Sequence, residues 1–133
     1  MSTADGRYLL DTHAFVWMAS APERLGDEAR QRIGASASEL YLSVASVWEI
    51  AIKKSVGKLK LPTPLPNFLE EQLNATRTSL LPIRSEHAIR VEALPWHHRD
   101  PFDRLLLAQA AFEDLTLLSR DTTFDAYAVP RVW

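Results

Sequence analysis

The sequence predicts an α/β protein with a parallel central sheet and helices on both faces. Three observations carry this. Short apolar segments of strand length alternate with helical segments from end to end, the pattern of βαβ units. The 133 residues suit one domain of ordinary size. No internal repeat, low-complexity tract or linker divides the chain, so one domain over 1–133 is expected.

The elements follow in order. Arg7-Tyr8-Leu9-Leu10 reads as a buried strand ending at Asp11. Ala14–Ala19 is apolar and free of Gly, and reads as a short helix. A second helix is expected from Pro22 to about Ile33, since Pro suits a first turn and Glu23 favours the positive end of the dipole. Leu40-Tyr41-Leu42 reads as a strand. Val44–Ser55 has helical periodicity, and Gly57 is placed to end it. A proline-containing loop over 58–66 precedes a helix over Asn67–Thr76, a strand over Ser79–Ile83 and a short helix over Glu86–Ala93. Pro95–Arg99 reads as a polar loop, Pro101–Glu113 as a helix and Leu115–Leu118 as a strand.

Composition removes several function classes. Apolar residues make up 47% of the chain, which is not the composition of a disordered protein. The net charge of −2 argues against a protein that coats nucleic acid by charge alone, but allows a local basic patch. With no cysteine there is neither a disulfide scaffold nor a thiolate metal site. Met1–Leu10 lacks the apolar stretch of a signal peptide. Leu105–Phe112, interrupted by Gln109, is too short to span a membrane, and a cytoplasmic protein is expected.

The chemistry-bearing residues are acidic. In an open parallel sheet, sites lie beyond the carboxyl ends of the strands. Asp11 and Asp121 stand there, and each taken singly also reads as a turn residue or helix cap. Glu49 sits within a mostly apolar helix and reads either as a site residue or as the partner of Lys53 on an exposed face. Asp100 before Pro101 reads as an N-cap, and Asp103 as an N3 residue that also points toward the sheet end. Four carboxylates gathered at one place repel one another unless a cation neutralises them. Oxygen ligands without Cys suit Mg2+ or Mn2+, ions that assist phosphodiester hydrolysis.

Leu9-Leu10-Asp11-Thr12-His13, Ser46-Val47-Trp48-Glu49-Ile50, Asp100-Pro101-Phe102-Asp103-Arg104-Leu105-Leu106 and Ser119-Arg120-Asp121 together resemble the PIN-domain ribonucleases. Within these they are similar to the VapC-like toxins of type II toxin–antitoxin systems. The likeness runs over nearly the whole chain. It implies a three-layer α/β/α sandwich. It also implies an acidic cluster of Asp11, Glu49, Asp103 and Asp121 that binds Mg2+ or Mn2+ and activates water for RNA cleavage. Asp100, Thr12 and Ser119 are expected in supporting roles. The implied partners are RNA, a cognate antitoxin protein and a second copy of the chain.

Other residues carry two readings each. Lys53, Lys54, Lys58 and Lys60 form the densest basic segment, either a solvated helix end or a set of RNA contacts. Arg104 and Arg120, beside the predicted site, are expected to contact phosphate, as is Lys53. His13 reads as a structural histidine, a ligand or a proton shuttle, and His97-His98 as loop polarity or RNA contacts. Phe15–Met18 are expected to be partly exposed and to serve association. Two rival functions stand beside the nuclease. An aspartyl-phosphate phosphatase would use Asp11 as nucleophile, but Asp11-Thr12-His13 lacks the second carboxylate of an Asp-x-Asp pair. A non-catalytic PIN-like binding module would have lost an acidic position.

Overall fold

A computed structural model describes residues 6–133. The reading of the first ten residues as no leader falls partly on 1–5, outside the described residues. Five parallel strands, β1 (Arg7–Leu10), β2 (Glu39–Ser43), β3 (Thr78–Leu81), β4 (Thr116–Leu118) and β5 (Arg131–Val132), form one sheet in the order β3-β2-β1-β4-β5. The helices are α1 (Thr12–Ser20), α2 (Asp27–Gly34), α3 (Val44–Ser55), α4 (Leu65–Thr76), α5 (Ser85–Arg90) and α6 (Pro101–Glu113).

Alternation along the strands builds the two layers. Tyr8 and Leu10 of β1, with Leu40, Leu42 and Leu118, pack under Phe15 of α1, Ala29 of α2, Ile50 of α3 and Phe68 of α4. Leu9 and Leu117 face the other way, onto Leu106, Leu107 and Ala110 of α6 and onto Phe124, Tyr127 and Val129. The central strands are apolar on both faces because both faces are covered. The sandwich has the three layers expected.

From β1 the chain builds β2 and β3 on one side, then crosses to β4 and β5 on the other. The carboxyl ends of β1 and β4 therefore flank the point where the strand order reverses, where a crevice opens in such sheets.

Several boundaries differ from expectation for physical reasons. Helix α1 begins at Thr12, because Asp11 Oδ1 accepts from Ala14 N (2.7 Å) and caps it. The segment expected as one helix from Pro22 divides into a 3-10 turn (Pro22–Arg24) and α2. The break lets Leu25 enter the core, and Gly26 lies where a Cβ would overlap the main-chain carbonyl carbon of Trp133. Helix α3 stops at Ser55, and Gly57 takes φ +78°, as its position predicted. The partial exposure expected of Phe15–Met18 falls on its second half only. Phe15 and Val16 are core, with Phe15 edge-on to Phe68, and Trp17 and Met18 are half-buried on the same cluster. A further exposed apolar row lies on α3 and its C-cap, at Val44, Trp48, Ile52 and Val56, spaced four residues apart. Among the described residues, no helix is long and apolar enough to cross a membrane.

Candidate metal centre

Asp11 leaves β1 at the switch point. Its Oδ1 caps α1, and its Oδ2 accepts from Ser119 Oγ (2.5 Å), the residue that follows β4. Strands at opposite ends of the sequence thus fix one carboxylate. Ser119 Oγ in turn accepts from Asp121 N (3.0 Å). Asp121 caps the 3-10 turn Thr122–Ala126, with Oδ1 accepting from Thr123 N (2.9 Å) and Thr123 Oγ1 (2.6 Å). Glu49 is buried in α3. Thr12 Oγ1 donates to its Oε1 (2.7 Å) and lies 2.9 Å from Ser46 Oγ, while Lys53 Nζ reaches its Oε2 (2.8 Å). Asp100 caps α6 by accepting from Asp103 N (3.0 Å), and Asp103, in the first turn, lines the same cavity.

Asp11, Glu49, Asp100, Asp103 and Asp121 line one cavity of about 130 Å3 with Lys53 and Thr12. A larger cavity, about 460 Å3, is walled by Leu94, Pro95, Ala111, Tyr127 and Val129 and holds no acidic residue, so size does not locate the chemistry.

His98, read from the sequence as loop polarity or an RNA contact, stands among the carboxylates. Its Nδ1 accepts from Asp100 N (3.3 Å), which leaves Nε2 as the N–H. That Nε2 lies 3.1 Å from Asp103 Oδ2 and 3.3 Å from Asp121 Oδ2. The ring stacks on Phe124, with centroids 5.5 Å apart and planes at 22°. Ligand atoms of His98, Asp103 and Asp121 lie within 4.8 Å of one another, a tighter group than the four expected carboxylates.

Arg104 is a correction. It does not reach toward the site for phosphate. Its buried guanidinium donates to four main-chain carbonyls, those of Val91, Leu94, Pro95 and His98, and lies 3.8 Å from the centre of the Trp96 ring. With Tyr127, whose hydroxyl donates to Pro95 O (2.8 Å) and accepts from His98 N (2.9 Å), it fixes the loop that carries His98. Arg120 is exposed at the rim of the site, beside Asp11 and Asp121.

The electrostatics are those of a site that wants positive charge. Burial, then the neighbouring Asp100, pushes the Asp103 carboxyl up from 3.8 to about 7, with Glu49 and Asp11 adding to the rise and His98 opposing it. Burial also raises Asp11, against the hydrogen bonds from Ser119 and Ala14. Asp121 moves the other way: burial would raise it, but hydrogen bonds from Thr123 and His98 outweigh that and hold it low. A divalent cation with oxygen and imidazole ligands fits this donor set, since it supplies the countercharge that the crowded carboxylates lack.

Fold and site define a class: a three-layer parallel α/β protein with a carboxylate centre at the switch point of its sheet. Residues 8–130 match the PIN domain family, and the chain belongs to it. PIN domains are generally nucleases. Solved structures agree in fold. VapBC2 from Rickettsia felis, bound to a DNA fragment from the pair's promoter, aligns at TM-score 0.72 and 16% identity, over 95% of this chain and 97% of that one. A toxin–antitoxin complex from Klebsiella pneumoniae gives 0.62 and 19%, over 95% and 96%. FitAcB from Neisseria gonorrhoeae gives 0.59 and 25%, over 95% and 96%. A comparison with curated proteins finds no match.

Proposed function

We infer that this chain is a metal-dependent ribonuclease acting in the cytoplasm as the toxin of a toxin–antitoxin pair. The observation that carries the reading is the cavity shared by Asp11, Glu49, Asp103 and Asp121 at the switch point, two of its carboxyls pushed toward protonation by burial and mutual repulsion. Mg2+ or Mn2+ would be held by Asp103 and Asp121, with His98, Asp11 and Glu49 beside them. When bound, such an ion makes water a better nucleophile at neutral pH and offsets charge on the phosphate.

The chain's own residues provide position. Ser119 and Ala14 N hold Asp11 so that both oxygens keep a fixed direction. Thr12 and Lys53 orient Glu49 from opposite oxygens. Thr123 turns Asp121 Oδ2 inward by occupying Oδ1. Engagement of both Asp11 oxygens argues against a covalent nucleophile there, and so against the phosphatase. No acidic position is missing, which argues against a non-catalytic module.

The toxin role is supported by the toxin–antitoxin and VapBC complexes among the structural neighbours. The exposed α3 row of Val44, Trp48, Ile52 and Val56 supports association with an antitoxin or a second copy.

The test is cleavage of a mixed RNA pool with Mg2+ and with EDTA, for wild type, Asp11→Asn and Asp103→Asn. Cleavage only by wild type, and only with the metal, is expected. Undiminished cleavage by both variants would overturn the site, and cleavage insensitive to EDTA would overturn the metal.

A further inference from the structure

Two open clefts adjoin the acidic cavity. One, about 320 Å3, is bounded by Arg120, Asp121, Asp11, His13 and Trp17. The other, about 240 Å3, is bounded by Lys53, Lys58, Thr12, His13 and Trp17. His13 and Trp17 line both and form the ridge where they meet. Their rings lie 5.4 Å apart, tilted by 33°.

This ridge is firmly backed. Trp17 packs edge-on to Trp133 at 6.0 Å, and the Arg24 guanidinium lies 5.4 Å from the centre of its ring. His13 is exposed, in the first turn of α1, one residue from Thr12 and two from Asp11. Neither ring hydrogen-bonds a carboxylate of the site, and both line the two clefts.

The cations are placed at the two ends. Arg120 is exposed in the first cleft and Lys58 in the second. Lys53 is already paired with Glu49 and counts for less. Cations at both ends, an aromatic ridge between them and carboxylates alongside match one ligand chemistry. Phosphates bind Lys and Arg whatever the sequence, and unpaired bases stack on flat rings. Bases locked inside a duplex have no free face to offer such a ridge.

We propose that the two clefts form one groove for single-stranded RNA. Phosphates rest on Arg120 and Lys58, and one base stacks on the His13–Trp17 ridge, which leads the strand past the acidic cavity. This rests on the ribonuclease reading.

The experiment is equilibrium binding of a short labelled single-stranded RNA to Asp103→Asn protein in Mg2+, with cleavage of the same RNA by wild type run in parallel. Arg120→Ala and Lys58→Ala should each weaken binding and lower the dependence of log K on log salt by about 0.7. His13→Ala should weaken it by about 5- to 150-fold, the range of one lost stack. The same RNA with an abasic ribose at the stacked position should bind the parent as weakly as intact RNA binds His13→Ala, and His13→Ala should no longer tell the two RNAs apart. Thermal melts matching the parent show that the variants fold.

If wild type cleaves the RNA but all three variants bind it like the parent, the groove is wrong and the nuclease reading stands. If His13→Ala weakens intact and abasic RNA equally, the stacking is wrong. If the Asp103→Asn parent does not bind the RNA and wild type does not cleave it, both readings fall.

Discussion

Asp103 is where the site's electrostatics become a measurable property of the fold. Its carboxyl ordinarily loses its proton near 3.8 and in the folded protein does so near 7. Between these values the unfolded chain has released a proton that the folded protein keeps. Stability falls with pH wherever the folded state binds more protons. Metal-free protein is therefore expected to lose stability as pH rises from about 4 to about 7, with Asp11 acting in the same direction. Asp121 and Asp125, both held low, act at lower pH: their stabilisation is present above the ordinary carboxylate range and is lost as pH falls through their depressed values. Urea melts across this range in EDTA, on wild type and Asp103→Asn, give the check. The variant should show the flatter profile, and identical slopes would remove the argument for repulsion. His98 makes the complementary case. Its Nε2 N–H lies between Asp103 and Asp121, so His98→Ala should destabilise metal-free protein by about 1–3 kcal/mol through loss of charge-assisted hydrogen bonds. Mg2+ should recover much of that loss, and no change in metal-free stability would show that His98 is only a bystander.

Helix α6 shows how much one element carries. Asp100 caps it, Asp103 faces the cavity from its first turn and Arg104 faces the other way. Successive helical residues point about 100° apart, so a neighbour in sequence is not a neighbour in the site. That is why Arg104, beside Asp103 in the chain, read as a phosphate contact and proved to be the anchor of the 91–98 loop. Arg104→Lys keeps the charge but loses the planar fork that serves four carbonyls, and should cost roughly 1–3 kcal/mol in urea denaturation. An unchanged midpoint would mean that the loop is held without it. Elements were legible where local rules decide them: α3 and α6 begin and end as their caps and periodicity predict. The placement of Asp11 and Asp121 followed from the strands before them. His98 was not legible, because a loop histidine gains its position only from Arg104 and Tyr127, far along the chain or around the helix. Strand β5, two residues long, leaves no periodicity to read. Which of Phe15–Met18 would be buried was not legible, because a fully apolar stretch says only that some face is buried, not which.

At the scale of the molecule, the sheet gathers carboxylates from across the sequence, and a cation that binds only the assembled form should stabilise the whole. At a hundredfold excess over Kd the gain is about 2.7 kcal/mol, a rise in melting temperature of about 10 °C for a chain this long. Mg2+ or Mn2+ added to stripped protein should show it, with Na+ at matched ionic strength doing much less. A flat response would mean that no shared cation site forms.

The bond from Ser119 to Asp11 spans 108 positions of sequence. Its consequence is one of timing. While the chain is being made, Asp11 and Glu49 emerge well before Asp103, Asp121 and the strand that Ser119 follows. Until β4 docks, β1 has an unpaired edge and Asp11 has lost one of its two anchors. On the ribonuclease reading, the acidic cavity stays incomplete until residues 116–121 have joined β1. We predict that a chain ending at Glu113 has no cooperative melt and no cleavage, and that adding residues 114–133 as a separate peptide restores both in part. A truncated chain that cleaves RNA unaided would show that the late strands do not gate the site.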